Sequence, residues 1–244
     1  MTFPLAADER SFPATPPSDL DDPEVIISND RRAFEQLDWM KDHWDHDRWH
    51  EGYRAYYWML SFPEAPDLMK LARRCQEALA PLGMDDVPED GLHITMPKIG
   101  DAFEVGREHA ERLATAAAGT LPGPFAIRAH PLTASHGAAR FTVTPWRALV
   151  SLHQALTNAT SAAGLPGGFP TRQFRPHLGV SYNNKRRSAF VVGTFLAPLR
   201  DLESVSLHIS SVDLVELRRE DTAYRWDVIA SVPLALPARN DLLL

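Results

Sequence analysis

Two short segments constrain this chain more than any other part of it. GLHITMPK (Gly91–Lys98) and RPHLGVSY (Arg175–Tyr182) each set a histidine at the start of an alternating run. Side chains of a strand alternate between two faces. In the first segment His93 and Thr95 share one face, and Leu92, Ile94 and Met96 share the other. In the second, His177, Gly179 and Ser181 lie opposite Leu178, Val180 and Tyr182. Each strand thus has an apolar face for a core and a small polar face that carries a histidine.

The surrounding pattern runs twice. Tyr53–Phe62 reads as a strand stopped by Pro63. Asp67–Leu82 is a helix ended by Gly83, Leu92–Met96 a strand and Phe103–Ala118 a helix. Strands follow at Phe125–Leu132 and Ala139–Thr144, then a helix over Trp146–Ala163 and the strand His177–Tyr182. Ser188–Leu196 reads as a short helix, and Val205–Arg218 and Tyr224–Leu234 as long strands. Each histidine sits on the strand after the first helix of its half. This order predicts an α+β fold: a bilobal, pseudo-twofold pair of antiparallel or mixed sheets, with flanking helices around a central cleft. Residues 51–244 would form that body. Residues 1–50 would supply a Pro-, Asp- and Ser-rich arm, loose or draped over the surface, and an amphipathic helix from Asp30 to about His50, capped by Ser28, Asn29 or Asp30.

Composition narrows the function. The 244 residues carry a formal net charge of −7, which argues against binding long duplex nucleic acid through its phosphates. A small anion in a locally basic cleft remains compatible. No apolar run is long enough to span a membrane, and the first residues lack the pattern of a secretory signal. The single cysteine, Cys75, fits a structural thiol in a reducing compartment, so a cytoplasmic location is expected. No nucleotide-binding glycine pattern follows a strand.

The paired histidines point to acid–base chemistry. A neutral imidazole takes a proton from water or a hydroxyl, and an imidazolium protonates a leaving oxygen. Each such step contributes ~10²- to 10⁴-fold. Hydroxyls or cations beside the rings would hold non-bridging phosphate oxygens. Together they would cleave a phosphodiester with neither metal nor cofactor.

On these residues the chain resembles the two-histidine (2H) phosphoesterase superfamily, in its LigT-like, RNA 2′,3′-cyclic phosphodiesterase (2′-5′ RNA ligase) branch. His93-Ile94-Thr95-Met96 fits the family's first motif. Phe174-Arg175-Pro176-His177-Leu178 fits the lead into the second. The resemblance implies that His93 and His177 are acid and base, in an order set by the direction of reaction, and that Thr95 binds a phosphate oxygen. The implied substrate is a small nucleotide or RNA-end phosphodiester. The departure is Gly179, where the family carries Thr or Ser. A hydrogen bond to a charged group contributes about 1.5–3 kcal/mol, or ~10- to 100-fold in rate when made in the transition state. The loss leaves two readings: a hydrolase of altered rate or substrate, or a relative that binds a nucleotide or phosphorylated metabolite with weakened catalysis. A third, an interaction protein, rests only on the aromatic N-terminal helix.

Arg175, Lys98 and Ser181 are the further candidate phosphate ligands, with Ser181 ~6.6 Å beyond Gly179 along the strand unless a bulge intervenes. Arg172, Lys185, Arg186 and Arg187 are additional cations nearby. Tyr182, Trp146 and Phe141 are candidates for stacking a base. His46 and His50, four residues apart with Asp42 or Asp47 nearby, imitate a metal site but lack further ligands. His208-Ile209-Ser210 is a third His-x-Ser match. It reads as a sheet-edge decoy and is the rival to His177 if Gly179 disqualifies the second motif.

Overall fold

The computed structural model describes residues 5–45, 50 and 52–234. In chain order its longer elements are α1 (Pro23–Glu35), β1 (Trp39–Met40), β2 (Arg54–Ser61), α2 (Pro66–Leu79), β3 (Asp85–Asp86) and β4 (His93–Asp101). There follow α3 (Ala102–Val105), α4 (Arg107–Ala117), β5 (Phe125–Ala134), β6 (Ala138–Thr144), α5 (Trp146–Ala162) and β7 (His177–Tyr182). The last are β8 (Arg187–Ser188), α6 (Ala189–Leu196), β9 (Val205–Ile209), β10 (Ser211–Glu220) and β11 (Ala223–Pro233).

The strands form a four-stranded sheet in the order β11-β10-β2-β4 and a five-stranded sheet in the order β3-β7-β6-β5-β9, with β1 and β8 paired separately. Every described pairing is antiparallel. The fold is α+β. The apolar faces expected for the histidine strands are present: Leu92, Ile94 and Met96, with Leu178 and Val180, are buried in one continuous core. β4 is an edge strand, and β7 is covered on its far side only at Ser181 and Tyr182, by the two residues of β3. The two histidine strands approach each other where the sheets meet.

Three expectations change. The run predicted as one strand, Val205–Arg218, breaks at Ser210: β9 pairs with β5 in one sheet, and β10 pairs with β2 in the other. A single apolar run therefore links both sheets. The helix predicted over Phe103–Ala118 is interrupted at Gly106, whose φ of 69° only glycine adopts readily.

The N-terminal helix lies earlier than expected. Asp22 caps it through the N–H groups of Glu24 and Val25, Pro23 starts it, and it ends at Glu35. Beyond it the chain is extended, and Met40 packs into the core from β1. Asp30, read from sequence as a cap, is inside the helix and fully buried. It pairs with Arg140 (3.0 Å) and accepts from Thr142 (2.8 Å). The segment before α1 is draped and pinned, with Ser11, Pro13 and Pro17 buried.

Candidate functional site

His93 and His177 are held by the same device. The Nδ1 of His93 lies 2.7 Å from the carbonyl oxygen of Gly91, and that of His177 2.8 Å from the carbonyl oxygen of Arg175. A carbonyl only accepts, so Nδ1 carries the proton in both rings. Each ring is fixed by the backbone two residues earlier, and Nε2 is left for chemistry. Both rings line one cavity of about 250 Å³, together with Thr95, Gly179, Tyr57 and Tyr182. An adjoining chamber of about 510 Å³ shares Tyr57, Thr95, Ser135 and His177 with it, and adds Lys98, Phe169 and Phe12.

Electrostatics favour neutral rings. Desolvation lowers the His93 pKa, partly offset by the bond to Gly91. Desolvation lowers that of His177 further, reinforced by the Arg140 guanidinium. His177 keeps an open edge to the cavity, so water and solute reach the ring even though protein surrounds the rest of it. At pH 7 both Nε2 atoms of the free protein are lone-pair acceptors. A bound phosphodiester anion would draw a proton onto one of them, because an adjacent opposite charge favours the imidazolium.

The second motif differs from its sequence reading. In the β6–β7 pairing Arg140 faces Gly179 and Ala139 faces Ser181, so Val180 is an extra, bulged residue. Its carbonyl accepts from the Val87 N–H (2.9 Å) and the Gln76 side chain (2.9 Å). The bulge shifts the alternation by one. Tyr182 turns into the cavity, and Ser181 turns away, fully buried and bonded to Asp86 (2.8 Å). Ser181 is therefore not placed to meet a phosphate. A Cβ on Gly179 would meet only Tyr182 Cε1 and Val87 Cγ2, both at 3.8 Å.

Arg175 is also committed elsewhere. Nε donates to Pro13 O, Nη1 to Arg172 O and Phe174 O, and Nη2 to Ala6 O and Ala14 O. All five N–H groups of a guanidinium are thereby used. Burial lowers its pKa to about 10, which leaves it charged, but its donors hold backbone and not a ligand. Lys98 does line the chamber, where its ammonium bonds Asp101 (2.7 Å) and the Tyr53 hydroxyl (3.1 Å). Thr95, half-buried on β4, borders both spaces.

The remaining candidates separate cleanly. Tyr182 borders the cavity, but Phe141 and Trp146 are fully buried core residues. Arg186 stacks on Trp39 (4.0 Å), and Arg187 bonds Leu82 O and Asn184. His208 is exposed on the edge strand β9, in a groove apart from His93 and His177. His46 and Asp47 lie outside the described residues. Asp42 caps the Trp44 N–H, and no group of three potential ligands comes together among the described residues. Burial raises the Cys75 pKa to about 12, as expected for an inert thiol.

Several lining residues carried no readable motif. His43 stacks on Tyr182 (4.3 Å) and bonds the Tyr224 hydroxyl (3.1 Å), so residues from before β2 and from β11 both border the histidine cavity. The aromatic density of Tyr53–Phe62 hinted at Tyr57. His43 opens a histidine-rich stretch that imitates a metal site, and nothing local marked Tyr224.

The sequence profile of the 2′-5′ RNA ligase superfamily matches residues 63–221, which is more than half of the chain and includes both histidine strands. The chain belongs to the 2′-5′ RNA ligase superfamily. Solved members of the 2H phosphoesterase type share the fold. The Escherichia coli LigT apo structure aligns at 14% identity with a TM-score of 0.57. A phosphoesterase crystal structure aligns at 15% and 0.55, and E. coli LigT complexed with 3′-AMP at 14% and 0.55. Each alignment covers 75% of this chain and 99% of the other. No curated protein matches the chain in sequence.

Proposed function

We propose that this member of the 2′-5′ RNA ligase superfamily is a metal-independent phosphodiesterase acting on a 2′,3′-cyclic phosphate or a similar small nucleotide phosphodiester. One observation carries the reading: His93 and His177, each locked through Nδ1 to a carbonyl two residues back, border one cavity together with Thr95. One Nε2 takes a proton from water as the water oxygen bonds to phosphorus. The other, protonated, gives its proton to the ester oxygen as the P–O bond breaks. The product is a phosphomonoester. Desolvation, reinforced by the Arg140 guanidinium, makes His177 the harder ring to protonate, which favours His177 as the base and His93 as the acid in hydrolysis. The Thr95 hydroxyl holds a non-bridging oxygen, and Lys98 lines the adjoining chamber with its charge offset by Asp101. E. coli LigT has been crystallised with 3′-AMP and with ATP, which suits a nucleotide ligand here. A bilobal cleft, with one histidine strand from each sheet, is the arrangement this chemistry uses. No helix among the described residues is long and apolar enough to cross a membrane.

Gly179 favours a second reading, a nucleotide binder with weakened turnover. Hydrolysis of 2′,3′-cyclic mononucleotides in EDTA separates the two. The hydrolase reading expects EDTA-resistant turnover that His93→Ala and His177→Ala each abolish. Nucleotide binding without turnover in the wild type supports the binder.

A further inference from the structure

The family match begins at residue 63, and the solved relatives leave a quarter of this chain uncovered. Yet Arg10, Ser11 and Phe12 form part of the wall of the 510 Å³ chamber beside His177. Their position is built in. Three of the five Arg175 bonds go to this arm, at Ala6 O, Pro13 O and Ala14 O. The buried Ser11 hydroxyl donates to Gln173 O (2.8 Å), and the Gln173 amide donates to Asp8 (2.7 Å). The Phe12 ring lies over the Arg140 guanidinium, 5.2 Å from its centroid, and meets His136 edge-on at 4.9 Å. The wall therefore presents a fixed aromatic ring. The Arg10 guanidinium beside it is held by Asp8 through Nε and Nη2, both at 3.0 Å, so this wall recognises shape and stacking more than charge.

We propose that the N-terminal arm determines substrate size. Phe12 packs the base of a single nucleoside carried by the reacting phosphate, and the arm stands where the next nucleotides of an RNA chain would leave the site. A chamber of this volume falls within the ~300–1,000 Å³ typical of small-molecule sites. The inference takes its reacting phosphate from the phosphodiesterase reading, but its test is binding and needs no turnover.

Calorimetric titration of the full chain with 2′-AMP, and with an RNA octamer ending in a 2′-phosphate, provides the test. The wild type is expected to bind 2′-AMP at least about tenfold more tightly than the octamer. Phe12→Ala should weaken 2′-AMP by about tenfold, the scale of one lost stacking contact, and narrow the preference. Phe12→Trp, which keeps a stacking ring, should retain it, and the melting temperature of each variant identifies misfolding. Equal binding of the two ligands, no binding of either, or a preference untouched by Phe12→Ala would overturn the proposal. Turnover of 2′,3′-cyclic AMP is read separately. Arm-dependent binding without turnover removes the hydrolase reading and leaves the arm's role standing. Turnover without a Phe12 effect does the reverse.

Discussion

The strands β4 and β7 solve the same problem with unequal means. Both orient an imidazole through Nδ1 to the carbonyl two residues earlier, and both bury an apolar face in the shared core. On β4 the residue two positions after the histidine is Thr95, which reaches the cavity with a hydroxyl. On β7 it is Gly179, and the next residue toward the cavity is Tyr182, brought there by the bulge at Val180. Both flanking cations line the larger chamber and both are engaged: Lys98 pairs with Asp101 and the Tyr53 hydroxyl, whereas Arg175 holds backbone carbonyls, three of them in the N-terminal arm. The orientation of the imidazole is thus duplicated, but the motif hydroxyl that borders the cavity comes from β4 alone.

This imbalance sets an order of effects. Removing either imidazole deletes a whole proton-transfer step. His93→Ala and His177→Ala should each lower kcat for a 2′,3′-cyclic mononucleotide by ~10²- to 10⁴-fold. Thr95→Ala removes the one motif hydroxyl at the phosphate and should cost about 10- to 100-fold, read in kcat more than in KM. Gly179→Ser is the reciprocal change. Its Cβ finds ordinary contacts at 3.8 Å, so the variant should fold and raise kcat by about tenfold. A kcat unchanged by Gly179→Ser would mean that Thr95 alone satisfies the phosphate and that the two strands are less unequal than their side chains suggest.

The smallest expected effect is on pH dependence. In the free protein both imidazoles have lowered pKa values. The proposed mechanism needs one ring neutral and the other protonated. As pH rises through the depressed pKa of the acid, the protonated form is lost, so kcat/KM should fall on its alkaline side below the ordinary histidine value of about 6.5. Binding the phosphate anion raises that pKa, so the alkaline limb of kcat should lie at higher pH. A pH–rate profile with both limbs coincident would show that substrate charge does not act on the rings.

Much of this was legible in the sequence because it depends on local pattern. Alternation identified the histidine strands, and His93-x-Thr95 together with Pro176-His177 identified the pair. The misreadings have long-range causes. Ser181 left the histidine face because Gln76 and Val87, distant in sequence, bond the Val180 carbonyl and stabilise a bulge. Arg175 was claimed by carbonyls more than 160 residues earlier. The first helix was placed too late because the apolar spacing of Phe34, Leu37 and Met40 suited a helix, whereas Asp22-Pro23-Glu24 held the stronger start signal. Arg10–Phe12 reach the site from a segment with no motif at all, and His43 from a histidine-rich stretch that imitates a metal site.

The central claim is that His93 and His177 act on one phosphate as one unit, and a double-mutant cycle tests it directly. Hydrolysis of a 2′,3′-cyclic mononucleotide in EDTA would be measured for wild type, His93→Ala, His177→Ala and the double variant. Groups that act together lose their effect together, so the double variant should fall within about tenfold of the slower single variant. Losses that multiply, or a single variant that keeps the wild-type rate, would contradict the account.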